Sequence, residues 1–122
     1  MSKRRKLLWQ MNQARREEGL DRLKFEPSLF PPARQHTLQM VRDQRLYHSS
    51  PEDLIGSLSD VVWQLAGENV GATSGRVGDL FNAYMDSKAH RQNILRDTFT
   101  HAGMGFVRDD EGDLWNTLIL YG

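Results

Sequence analysis

The chain has 122 residues, 39% hydrophobic and 26% charged, with a formal net charge of zero at pH 7 and no cysteine. This is the composition of one soluble globular domain spanning residues 1–122, long enough to bury about two-thirds of its unfolded surface in a single core. It excludes disordered and fibrous classes, disulfides, thiolate metal sites and cysteine catalysis, and no run approaches the ~18 apolar residues of a membrane span.

The first residues carry Lys3, Arg4, Arg5 and Lys6 with no apolar stretch behind them. They do not read as a signal peptide, so the protein is expected either to stay inside the cell or to begin after a removed leader. Leu7, Leu8, Met11 and Ala14 then follow helical spacing between Lys3 and Glu18, and Gly19 is a suitable stop. Pro27, Pro31 and Pro32 place the start of the next element in the twenties or near residue 31, because proline suits a first helical turn. A second amphipathic helix is expected over Ala33–Arg45, marked by Leu38, Met40 and Val41.

Ser50-Pro51-Glu52-Asp53 has the form of a capped helix start with acids in the first turn, so a third, short helix should end near Gly56–Ser59. Val61–Ala66 running into Gly67–Gly71 reads as extended, with a helical first half as the alternative, and Ala72–Gly75 as a turn. Val77, Leu80, Phe81, Tyr84 and Met85 keep helical spacing, and a further turn is expected from Ser87 through His90 to Leu95. Two β-rich runs, Thr100–Arg108 and Leu114–Tyr121, flank Asp109-Asp-Glu-Gly112-Asp, a strong hairpin signal. About four helices followed by a small antiparallel sheet make this an α+β domain.

Charge is unevenly placed. Residues 1–50 hold 11 Lys and Arg against 5 Asp and Glu, and residues 51–122 hold 5 against 11. Lys3–Lys6, Arg15, Arg16, Arg34, Arg42 and Arg45 are where a polyanion-docking surface would begin. Two oppositely charged halves attracting each other within one fold is the plainer reading, and a balanced total charge argues against nucleic acid as the partner.

Four histidines are available for chemistry. His36, within a helix, and His101, opening a strand, read as structural, whereas His48 and His90 sit at helix ends where irregular backbone can aim a ring into a cleft. No His-x-x-x-His spacing occurs, but His48 and His90 with Glu68 would suit a divalent cation such as zinc with positions open to water. Glu68 stands between small residues in Gly67-Glu-Asn-Val-Gly71. A carboxylate there must be solvated in a groove or hydrogen-bonded, since burying it unpaired is costly. Its two readings are a catalytic group and an acceptor that locks a loop through backbone N–H groups. Ser49, Ser50 and Ser87 are the hydroxyls near these histidines, with neither a Gly-x-Ser-x-Gly elbow nor a phosphate-binding glycine loop in the chain.

Read together, several stretches resemble the CAP superfamily of cysteine-rich secretory proteins, venom antigens and plant pathogenesis-related proteins. They are Asn12-x-x-Arg15-x-x-x-Gly19-Leu-x-x-Leu23, Leu46-Tyr-His48-Ser, Gly67-Glu68-Asn69-Val-Gly, Ser87-x-x-His90-Arg-x-Asn93-Ile-Leu and Ala102-Gly-Met-Gly105-Phe-Val. The resemblance is to the short, cysteine-free bacterial branch and covers nearly the whole chain in order. It implies a three-layer α-β-α sandwich with a central cleft lined by two histidines and two glutamates, the histidines able to hold a divalent cation.

Carried over by motif, these are His48, His90 and Glu68, while the second glutamate position is Ser87, leaving at most three of the four groups. Family members are implied to bind sterols, fatty acids or metals, to act in defence or as toxins, and occasionally to cleave peptides, and they are mostly secreted. The expected function is therefore a non-enzymatic binding module whose cleft takes a divalent cation or a small-molecule, lipidic or protein ligand. A metal-assisted hydrolase with Glu68 as general base is the alternative.

Overall fold

The computed structural model describes all 122 residues. Helix α1 runs Lys3–Glu17, its first turn capped by the Ser2 hydroxyl, which accepts from the Arg5 N–H at 3.2 Å. It stops at Gly19, whose φ of +72° is the left-handed conformation that lets Leu20 N–H turn back to Arg15 O. Strand β1 is only Lys24–Phe25, held close to α1 by Asn12, whose amide bonds both Leu23 N–H and Leu23 O at 2.8 and 3.1 Å. A single 3₁₀ turn, Pro27–Leu29, leads into α2, Phe30–Asp43, with Pro31 and Pro32 in its first turn.

Helix α3, Pro51–Ser57, starts under the Ser50 cap as expected. Strand β2 is Ala66–Thr73, α4 is Val77–Asp86, α5 is Lys88–Ile94, and the hairpin β3–β4 is His101–Arg108 and Leu114–Tyr121.

The four strands lie in the order β1-β3-β4-β2, antiparallel except for the parallel β1–β3 pair. Every residue of β4 is buried, which is why Leu114-Trp-Asn-Thr-Leu-Ile-Leu-Tyr121 reads as a nearly unbroken apolar run rather than an alternation. Its even members, Leu114, Leu118 and Leu120, join Leu7, Met11, Leu80, Tyr84 and Ile94 beneath α1, α4 and α5. Its odd members, Trp115, Ile119 and Tyr121, face the opposite layer, with Leu29, Ala33, Met40 and Leu58. The two polar residues in the run are satisfied: Asn116 accepts from Tyr84 Oη at 2.7 Å and donates to Gly105 O at 2.8 Å, and Thr117 Oγ1 accepts from Thr37 at 2.8 Å. Helices on both faces of one sheet make the α-β-α sandwich that the resemblance implied.

Gly105 sets the depth of the α2 layer. A Cβ there would lie 2.4 Å from both the N and Cα of Arg34, so the helix backbone rests directly on β3.

Several expectations are corrected. Residues 61–64 form no strand and Val62 is 96% exposed; the β2–β4 pairing reaches only one residue further, where Leu65 and Gly122 exchange N–H···O bonds at 3.1 and 3.0 Å. Ala72 and Thr73 continue β2 because they pair with Trp115 and Leu114, leaving the bend to Ser74–Gly75. The segment after Ser87 is a helix, not a turn, giving five helices where four were expected. Its length of seven residues and its single fully buried side chain, Ile94, leave little periodic signal to read. Helix α2 begins three residues before Ala33 and ends at Asp43, where Gln44 takes a left-handed φ of +50°. β1, too short to signal itself, adds a parallel pair to a sheet expected to be antiparallel.

Candidate functional site

Glu68 lies on β2 opposite Ile119, so its side chain points to the α2 side of the sheet at the outer edge strand. There the irregular segment that follows α2 crosses over it. Glu68 Oε1 accepts from His48 Nδ1 at 2.9 Å and from Ser49 N–H at 2.9 Å, and Oε2 accepts from Ser49 Oγ at 2.6 Å. The side chain is only 3% exposed while that of His48 is 63% exposed. Three donors offset the cost of removing the carboxylate from water. Because an ionised carboxylate only accepts, His48 carries its proton on Nδ1 and presents the Nε2 lone pair to solvent when neutral.

His90 reaches the same strand from the other layer. It lies on α5, and its carbonyl accepts from Asn69 Nδ2 at 3.1 Å. Asn93 clamps the arrangement by donating to Asn69 Oδ1 at 2.9 Å and to Glu68 O at 3.4 Å. The His90 ring packs at 5.1 Å from the Tyr84 ring. Burial, and secondarily the charge of His48, hold His90 below the usual histidine range. The Tyr84 hydroxyl is pushed well above the ordinary tyrosine range, first by complete burial and then by the Glu68 carboxylate. His48 and His90 thus flank β2 from opposite layers, near enough for their charges to interact.

Ser87 is the hinge between α4 and α5; its carbonyl accepts from Arg91 N–H at 2.8 Å and its hydroxyl makes no hydrogen bond to Glu68 or either histidine. In Asn93-Ile94-Leu95, Ile94 is fully buried, whereas Asn93 is a polar clamp beside Glu68. Ser49 holds Glu68 more extensively than His48 does, a role that hydroxyl spacing alone could not reveal.

His36 and His101 are structural. The first donates from Nε2 to Tyr47 O at 2.6 Å and the second stacks on Tyr121 at 5.1 Å. Arg15 leaves the basic face altogether: it is fully buried and donates to the carbonyls of Asp21, Ile94, Arg96 and Phe99.

As a metal centre the arrangement is open. No three His, Asp or Glu side chains gather to hold an ion, and both Glu68 oxygens are already engaged. The arrangement is therefore not a three-ligand zinc centre.

A profile of the cysteine-rich secretory protein family, CAP, matches residues 8–121. The uncharacterized protein YkwD of Bacillus subtilis strain 168 is 31% identical over 109 residues, covering 85% of this chain. The chain spans 41% of the length of that relative. Among solved structures, an outer surface protein from Borrelia burgdorferi superposes with a TM-score of 0.84 at 13% identity, covering 96% of this chain and 90% of its own. NaASP2, solved with Zn2+, superposes with a TM-score of 0.71 at 11% identity, covering 100% of this chain and 80% of its own. These two likenesses show the fold, while the sequence match across nearly the whole chain shows the kinship: the protein belongs to the cysteine-rich secretory protein family, as a member without cysteine.

Proposed function

We propose that the protein is a non-enzymatic binding module in which His48 and His90 hold a divalent cation such as zinc, with the remaining positions left to a bound ligand. The observation that carries this reading is the state of Glu68. Its carboxylate accepts three hydrogen bonds from His48 and Ser49 and its side chain is only 3% exposed, which suits a buried clamp better than a base open to an attacking water. The same contacts orient the His48 ring with Nε2 outward, the service a carboxylate gives to a metal-binding histidine. Burial and His48 depress protonation of His90, which favours the neutral imidazole that a metal requires. Zinc in the NaASP2 structure supports the choice of ion, and the outer-surface location of the Borrelia protein supports a place of action outside the cytoplasm. The ligand is drawn from small, lipidic or protein molecules met there.

The test is a zinc titration of metal-stripped protein, followed through the histidine ring resonances, with His48→Ala and His90→Ala alongside. His48 and His90 shifting together, and each variant abolishing the response of the other ring, is the expected result. Silence from both rings overturns the cation and turns the search to lipids and proteins. Turnover of a peptide or ester by the zinc-loaded protein, lost in Glu68→Gln, would replace the binding module with a hydrolase.

A further inference from the structure

Two hollows flank the first turns of α1. One lies against the start of α4 and the end of the closing hairpin, and its charged lining is Lys3, Lys6, Arg76 and Arg108. The other lies against β1 and takes Arg5, Trp9 and Arg22 into its wall. No Asp or Glu lines either one. None of the six cations forms an ion pair, although the chain as a whole balances 16 Lys and Arg against 16 Asp and Glu. Arg108 donates one N–H to Gly112 O and keeps the rest of its guanidinium open. Both α1 and α4 begin here, so their positive ends add to the same field.

Trp9 stands between the two hollows. Leu7, Met11 and Arg15 turn the opposite side of α1 into the core, so helical spacing sends Arg5, Trp9 and Gln13 outward. Trp9 is 51% exposed and Met1 is 82% exposed. Scattered cations or a single open apolar side chain would each be ordinary surface. Combined, they call for a partner that offers anions and, beside them, a medium less polar than water. An anionic bilayer surface has both, in its headgroups and in the interfacial layer where indoles settle.

A nucleic acid is the competing polyanion. The Lys6 ammonium lies 5.7 Å from the centre of the Trp9 ring, so a cation already covers one ring face that a stacking base would use. An indole at headgroup depth needs no open face, and there Lys6 stays free to meet a phosphate. We propose that this face docks the protein on an anionic lipid surface, with the six cations on the headgroups and Trp9 and Met1 in the interfacial layer. The face shares no residue with the Glu68 site, so it stands whether or not a cation binds there.

The probe is a phosphatidylcholine vesicle containing phosphatidylglycerol, with pure phosphatidylcholine vesicles beside it, and binding of the full chain is read by co-sedimentation. The anionic vesicles should take up the protein and release it as salt is raised, and the neutral ones should leave it in solution. Lys3→Gln/Arg5→Gln/Lys6→Gln should bind about a hundredfold more weakly, at roughly fivefold per charge. Arg34→Gln/Arg45→Gln/Lys88→Gln removes three exposed charges elsewhere and should bind nearly as the parent does. Brominated acyl chains should quench the parent's tryptophan fluorescence and leave that of Trp9→Phe unquenched. Equal losses in the two triple variants would show diffuse charge attraction and overturn the docking face, as would quenching that persists in Trp9→Phe. A single-stranded oligonucleotide that binds more tightly than the anionic vesicles would also overturn it and give the face to nucleic acid.

Discussion

Replacing Glu68 tests whether this carboxylate is a clamp or a base, because its Gln and Ala variants separate charge from geometry. Glu68→Gln can keep the contacts: its oxygen can accept from His48 Nδ1 and Ser49 N–H, and its amide nitrogen can face Ser49 Oγ, which can turn to accept. What is lost is charge assistance, worth about 1 kcal/mol per bond, or ~2–3 kcal/mol over three. Glu68→Ala removes all three acceptors, leaves a gap under the crossing segment and should cost about 3–5 kcal/mol.

Urea unfolding with an unchanged m-value measures both losses, and hydrogen exchange at the Ser49 amide reports the clamp locally. Zinc affinity should fall about 10–100-fold in the Ala variant, the usual effect of removing an orienting partner from a metal-binding histidine. If Glu68→Ala unfolds within about 0.5 kcal/mol of the parent and Ser49 exchange is unchanged, Glu68 does not hold the segment and the argument against a general base fails.

Other perturbations follow from the packing. Gly105→Ala puts a Cβ against the Arg34 backbone, which cannot yield as a side chain tip could; a loss of about 3 kcal/mol in urea unfolding is expected, and a neutral result would mean α2 rides freely on the sheet. Arg15→Met keeps the bulk but leaves the carbonyls of Asp21, Ile94, Arg96 and Phe99 without their donor, costing about 3–5 kcal/mol by the same measurement. The Trp115 indole N–H, 2.9 Å away, holds Asp109 below the usual carboxylate range, helped by the amides of the turn. A depressed carboxylate stabilises the folded state above the unfolded value of about 3.9 and loses that contribution as pH falls through the folded value. The Trp115 indole proton and the Asp109 carboxyl carbon should therefore titrate together below that pH, and independent titrations would break the link.

Helix α1, the Ser50 cap and the closing hairpin were legible because their signals are local. A helical stripe ending at a glycine, a serine before Pro-Glu-Asp, and a glycine-containing turn between two β-rich runs each act within a few residues. Helix α5 and strand β1 were not legible, since one buried side chain and a two-residue pairing leave no period to detect. The extended reading of residues 61–64 failed because the pairing partner of β2, β4, gives out at Gly122 opposite Leu65 and leaves the exposed Val62 with no strand beside it.

At the candidate site, residue types and order named His48, Glu68 and His90, through the motifs shared with the family. Only the tertiary structure decided what each one meets. Sheet register turns Glu68 toward the α2 layer and Asn69 toward α5, so two neighbours on one strand anchor segments from opposite layers. Those contacts join residues about twenty apart in the chain, and the long-range pairing of β2 with β4 determines which side chain faces which layer. Side-chain identity supplied the chemistry on offer; the engaged carboxylate and the outward Nε2 of His48 came from packing, because each depends on groups that approach only when the sheet closes.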